Sequence, residues 1–157
     1  MSKPDLSNSE YTSRQSVFLG QLPEDSLVLM PTNPVAYRSN DTTFPFRANS
    51  YMLYLCGWSD PEAVLMAHRE GVKWVTTLFV QPRDTKAEIW EGRRMGIEGT
   101  VSGWPVDQAS SLEDIADSVT PHLDACTSVY CISGLNPKLD ELISRADGAE
   151  LADPTPI

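Results

Sequence analysis

Sixteen consecutive residues, Gln81 to Gly96 (QPRDTKAEIWEGRRMG), hold four of the twelve basic side chains of a protein whose formal net charge is −10. Arg83, Lys86, Arg93 and Arg94 surround Trp90 on a segment too polar for a core strand. A guanidinium is a planar fork that matches carboxylates, and an indole is a rigid apolar face with one donor. Side chains of these types at this spacing suit docking rather than bond-making.

Residues able to make or break bonds are scattered. His68 falls in an expected strand and His122 at an expected helix end; with no HExxH and no Cys/His ligand pairing, both are read as structural. There is no GxSxG elbow and no GxxxxGK[ST] loop, and Gly92, Gly96 and Gly99 do not follow a strand at GxGxxG spacing. Cys56, Cys126 and Cys131 form an odd set without CxxC, which points to a reducing compartment. Cys56 lies in an apolar helix and Cys131 in an apolar strand, where burial raises a thiol pKa and makes it inert. Asp114 and Asp117 stand on an acidic helix with nothing to perturb them. No catalytic residue is expected.

The bulk properties agree. At 157 residues the chain fits one domain, 1–157, which buries roughly 70% of its unfolded surface. Hydrophobic content of 41% and charged content of 22% are those of a globular protein. A pI near 4.5 argues against nucleic-acid or anionic-membrane partners, which demand a broad basic face. From Asp107 to Asp153 ten acidic residues face two basic ones, Lys138 and Arg145, as a solvated acidic surface would. The N-terminal MSKPDLSNSEYTSRQ has no apolar signal core, and no apolar run approaches a membrane span, so a cytoplasmic setting is expected.

Several elements would position these residues. A helix is expected over Glu10–Leu22 with Tyr11, Val17, Phe18 and Leu22 inward, then a buried strand over Ser26–Met30 stopped by Pro31 and Pro34, and a second short strand at Val35–Arg38. Ser50 is placed to cap a short helix, Tyr51–Leu55, ending at Gly57. Ala63–His68 and Lys73–Val80, separated at Gly71, read as a hairpin. GIEGTVSGWP reads as loop. SSLEDIADSVTPHL reads as a helix capped by Ser111, with Leu112, Ile115, Ala116 and Val119 on one face and a kink or early stop at Pro121. Ser128–Ser133 is an expected strand, PKLDELISRA an expected helix with Pro137 in its first turn, and ELADPTPI the expected start of a linker. This order predicts an α/β fold with a mixed β-sheet flanked by helices.

Two ordered blocks carry a family resemblance. FPFRANSYMLYLCGWSDPEAVL (Phe44–Leu65) resembles a pattern of aromatic-Pro-aromatic-Arg, Asn-Ser, aromatic-x-x-Gly and Pro-Glu-Ala-Val-Leu. About sixteen residues on, PRDTKAEIWEGRRMG resembles an Arg-Asp, Glu-x-Trp, Gly-Arg-Arg block. Together they resemble the N-terminal domain of aminopeptidase P, the Xaa-Pro aminopeptidases of the creatinase and prolidase superfamily. The motif match runs from about Tyr37 to Gly99; beyond it only element order agrees.

The resemblance implies an α/β, creatinase/prolidase-like N-terminal domain without catalytic residues. Peptide hydrolysis in that family takes place in a C-terminal pita-bread domain with two divalent metals, usually manganese, and that domain is expected to lie outside these 157 residues. The partners implied are the catalytic domain of the same polypeptide and, in a homo-oligomer, neighbouring subunits. Trp90 would wall the substrate pocket, its flat indole suiting an apolar N-terminal side chain or a proline ring, and Arg83, Arg93 and Arg94 would pair with carboxylates across the interface. Arg47, Asn49, Gly57, Glu62, Glu88 and Gly92 are motif positions with structural roles, Arg47 by bonding loop carbonyls. The alternative is a stand-alone peptide- or protein-binding module built on the patch around Trp90.

Overall fold

The computed structural model describes residues 7–32, 50–58, 62–91, 96–131, 135–144 and 150–152; of residues 50, 51, 87, 90, 91 and 150–152 it describes the backbone alone. The expected strand at Val35–Arg38 lies outside these residues.

The first helix, α1 (Asn8–Gly20), starts where the Ser7 hydroxyl accepts a hydrogen bond from the Glu10 amide at 3.3 Å. Its inward side is Tyr11, Gln15 and Leu19. Val17, expected inside, is 66% exposed, because Gln15 takes the buried stripe. The Gln15 amide donates to the Leu55 carbonyl at 2.8 Å and the Pro105 carbonyl at 2.9 Å, so burial leaves neither donor unpaired. Next come β1 (Ser26–Pro31), one residue longer than expected, and α2 (Ser50–Leu55). Gly57, at φ 71°, donates its amide to the carbonyls of Met52 and Leu53, both at 3.1 Å, closing α2 in the left-handed conformation that glycine adopts without penalty.

The hairpin forms as expected: β2 (Val64–Glu70) and β3 (Lys73–Val80) pair antiparallel, with Val64 opposite Phe79 and Glu70 opposite Lys73. Beyond it lies α3 (Thr85–Glu91). The segment read as loop is instead a helix, α4 (Gly96–Gly103). Three glycines obscure it in the sequence, and tertiary packing makes it. Thr100 is fully buried and donates its hydroxyl to the Gly96 carbonyl at 2.7 Å, while Ile97 packs on the core.

A short strand the sequence reading missed, β4 (Gln108–Ser111), takes the start of the expected helix. Asp107 holds it in place, accepting from the Thr76 amide at 2.9 Å while its own amide donates to Thr76. Ser111 then caps a 3-10 turn, Leu112–Asp114, accepting from the Glu113 amide at 3.1 Å, and α5 (Ile115–Ala125) continues. Ile115, Val119 and Leu123 are its buried residues; Ala116, expected beside them, is exposed. Pro121 does not end the helix. Pro121 and Asp117, one turn before it, are both exposed, so the lost hydrogen bond falls on the solvent side of the helix. Finally come β5 (Ser128–Cys131), α6 (Pro137–Ser144) capped by the Asn136 side chain, and β6 (Glu150–Ala152), a sheet strand where a linker was expected.

The six strands lie in the order β4-β3-β2-β1-β5-β6. β1 and β5, β5 and β6, and β3 and β4 pair parallel, whereas β2 is antiparallel to both neighbours. Five strands therefore run one way and β2 alone runs back. Alternate residues serve two cores. Leu27, Leu29, Val64, Met66, Phe79 and Val129 pack beneath α5 and α6. Met30, Leu65, Leu78 and Val80 pack beneath α2 and Trp104 at the end of α4, with Val28 and Ala67 beneath α1. This is the predicted mixed sheet with flanking helices.

Candidate functional site

Because five strands are parallel, their C-terminal ends share one rim of the sheet, joined there by the start of β2. Clefts of open α/β sheets form at such a rim. Here a cleft of about 690 Å³ opens between Glu62 ahead of β2, the Gln81–Thr85 segment after β3, and Leu112 and Glu113 after β4. Glu62 adopts φ 61°, rare for a non-glycine residue, and accepts from the Gln81 side-chain amide at 2.6 Å. Glu62 of the first sequence block thus meets Pro82–Thr85 of the second at one wall.

The Arg83–Glu88 stretch folds on itself. The Asp84 carboxylate accepts from the Lys86 amide at 3.0 Å, and the Glu88 carboxylate reaches back to the Asp84 amide at 3.0 Å, a reciprocal closure of the first turn of α3. Arg83 adds an ion pair, its Nε 3.0 Å from Glu88 Oε1, with Arg83 half-exposed and Glu88 nearly buried. Gly96, at φ 75°, lets the arginine stem pass; a Cβ there would stand 2.7 Å from Arg83 Cγ. The cleft presents the carboxylates of Glu62, Asp84 and Glu113 beside one guanidinium already paired with Glu88, so its chemistry is that of a polar recognition surface.

Trp90 lies on α3, two residues after Glu88, on the helix that this closure starts. Its side chain is outside the described part, as are Arg93, Arg94 and Gly92 in full, and Arg47 and Asn49 of the first block. Of the implied site residues, Arg83 and Glu62 line the cleft, Glu88 is tied to it through its ion pair with Arg83, and Gly57 is a helix terminator away from it. Among the described residues no three His, Cys, Asp or Glu side chains are gathered so as to hold a metal ion, and no step through a metal is derived from this chain. No described helix is long and apolar enough to cross a membrane.

Cys56 and Cys131 are buried, and burial pushes each thiol up to about 12; a backbone hydrogen bond at Trp58 opposes this at Cys56, and the Asp140 carboxylate adds to it at Cys131. The sequence reading passed over one constellation. His68 and His122 stack on each other, and Cys126 stands four residues after His122. That spacing puts the last two on one helix face, but the approach of β2 to α5 is long-range and has no local signal.

Comparison with known proteins places this geometry. Residues 11–130 match the family described as aminopeptidase P, N-terminal domain. The chain is 30% identical over 141 residues to the Xaa-Pro aminopeptidase of Haemophilus influenzae, a match covering 90% of this chain and 33% of that protein. It is 31% identical over 153 residues to human Xaa-Pro aminopeptidase 3, covering 90% of the chain and 30% of the relative. Among solved structures, proline aminopeptidase P II from Yersinia pestis superposes with a TM-score of 0.86 at 29% identity, over 96% of this chain and 38% of that one. Aminopeptidase P from E. coli superposes with a TM-score of 0.82 at 30% identity, over 90% and 32%. The chain thus spans about a third of the length of these relatives. With Glu62 of the first block and Arg83 of the second at one rim of a mixed sheet, and the match running through five of its six strands, the chain belongs to the family of aminopeptidase P N-terminal domains.

Proposed function

We propose that this chain is the non-catalytic N-terminal domain of a manganese-dependent Xaa-Pro aminopeptidase, shaping the substrate entrance and the subunit contacts of an enzyme that removes the N-terminal residue from Xaa-Pro peptides. Its partner is a catalytic domain on the same polypeptide, which supplies two divalent metals, and the assembled enzyme is a cytoplasmic homo-oligomer. The observation carrying this reading is the family match over residues 11–130 on a chain a third as long as its relatives. Support also comes from the closure by Arg83, Asp84 and Glu88, which sets the direction of α3 and so of the Trp90 backbone. In this role Trp90 walls the substrate pocket, while Arg83, Arg93 and Arg94 meet carboxylates across the interface.

The test has two parts. The purified 157-residue chain, supplied with manganese, should release nothing from Xaa-Pro peptides; turnover that persists through repeated purification would overturn the assignment. In the protein joined to its catalytic half, Trp90→Ala should lower kcat/KM for Xaa-Pro peptides roughly two- to tenfold, the factor given by an aromatic contact of about 0.5–1.5 kcal/mol. An unchanged kcat/KM would remove Trp90 from the pocket.

The 690 Å³ cleft favours one further reading, a peptide-binding module that works without a catalytic half. Calorimetric titration of the isolated chain with Xaa-Pro peptides checks it. Saturable binding lost in Glu62→Ala supports it, and absence of heat counts against it.

A further inference from the structure

The opposite rim of the sheet, where β1 and β5 begin and β2 ends, carries a feature that peptide recognition does not use. His68 near the end of β2 and His122 in the last turn of α5 stack with ring centroids 4.0 Å apart and planes inclined by 29°. His68 is 7% exposed; its Nε2 lies 3.3 Å from Glu70 Oε1, and its Nδ1 is buried with no partner among the described residues. His122 is half-buried. The other inward residues at this end of α5 are Leu123 and the partly buried Cys126 that follows the helix, so among the described residues the ring pair is the polar contact between this turn and β2.

Charge decides when that contact is favourable. Two neutral rings, or one neutral and one protonated, attract at this distance. Two imidazolium rings 4.0 Å apart, one of them cut off from water, repel strongly. Glu70 of β2 is the acid within ion-pair reach of the pair among the described residues, and at 68% exposure it offsets one proton rather than two. The other charged or titratable groups lining the 120 Å³ hollow are Glu24 and Asp25 from the turn before β1, Arg69 of β2, and Cys126. Arg69 is directed to Glu24 at 3.8 Å and over the Trp74 ring, on the far face of the sheet from the histidines. Asp25 lines the same hollow, but among the described residues it forms no ion pair with either ring, so Glu70 is the acid that meets the stack.

We infer that His68 and His122 form a proton-operated latch between β2 and the last turn of α5, closed while the pair carries at most one proton and opened by the second. The direction of titration agrees. Burial lowers the His122 pKa from the ordinary 6.5, a charge on His68 lowers it further, and Glu70 raises it in part. Folding therefore favours the neutral His122 ring. The stability it contributes is fully present above about pH 6.5 and is lost as the pH falls through the lowered value.

The experiment is NMR on the 157-residue chain between pH 8 and 5, following the His122 ring and the amide protection at Leu123–Cys126. In His68→Phe, which keeps a stacking ring but takes up no proton, the His122 midpoint should rise. In the unaltered chain, protection at Leu123–Cys126 should fall as the pH drops below 6.5, by at most about tenfold per pH unit, the limiting slope for one proton taken up on opening. Protection at Leu65 and Leu78 should hold over the same range. His68→Phe and His122→Phe should each abolish the fall. An unmoved His122 midpoint, a fall that survives either variant, or loss of protection at Leu65 and Leu78 in step would each overturn the latch.

Discussion

Arg83 and Gly96 occupy the same space by halves. The glycine sits at φ 75°, and an added Cβ would meet Arg83 Cγ at 2.7 Å, so Gly96→Ala faces a backbone penalty and a steric one. The variant should lose about 1–3 kcal/mol by chemical denaturation. Adding Arg83→Ala should restore the steric part and leave the backbone part, which a double-mutant cycle separates. Full additivity of the two changes would mean that the arginine stem does not fill the glycine notch. The Glu-x-Trp and Gly-Arg-Arg spelling identifies this neighbourhood in the sequence. Spelling alone does not reveal that Glu88 accepts from the amide of Asp84 as well as from Arg83, because side-chain closure depends on where the chain enters the helix. His68 and His122 were illegible for another reason: fifty-four positions separate them, and only the packing of α5 beneath the sheet brings the rings together.

Among the elements, α5 carries the conflict that predicts most. Pro121 lies inside it, yet the helix runs on to Ala125. Proline within a helix forfeits a backbone hydrogen bond, an effect of about 3 kcal/mol in a regular interior. Pro121→Ala should therefore raise stability by about 1–3 kcal/mol and the thermal midpoint by several degrees, read by calorimetry. A lower midpoint would show that the ring rigidifies the unfolded chain more than it harms the helix. The hairpin, β1, α6 and the helical part of α5 were legible because their apolar spacing and punctuation agree with their packing. The glycines of α4 and the polar run of β4 conceal structure that neighbours impose: Thr100 and Ile97 seat α4, and Asp107 pins β4 to Thr76. The outward turn of Val17 has the same origin, since two carbonyls from other elements recruit Gln15 to the inside.

For the molecule as a whole, the three thiols report on integrity. Cys56 and Cys131 are buried and held up to about 12, whereas Cys126 is partly exposed, its thiol also raised by burial and by the nearby Asp124 carboxylate. An aromatic disulfide reagent at pH 8 should modify Cys126 alone, and slowly, in the native chain, and all three in denaturant. Rapid native labelling of three thiols would contradict the described core. The parallel course of β5 and β6 has a kinetic side. β6 brings the backbone at Ala152 to the same rim as the cleft, at the opposite edge of the sheet. Under the proposed function, a partner domain tethered there would search from the same rim, at an effective concentration on the order of millimolar for a short flexible tether. Contacts too weak to join two free proteins would then suffice to hold such a partner in place.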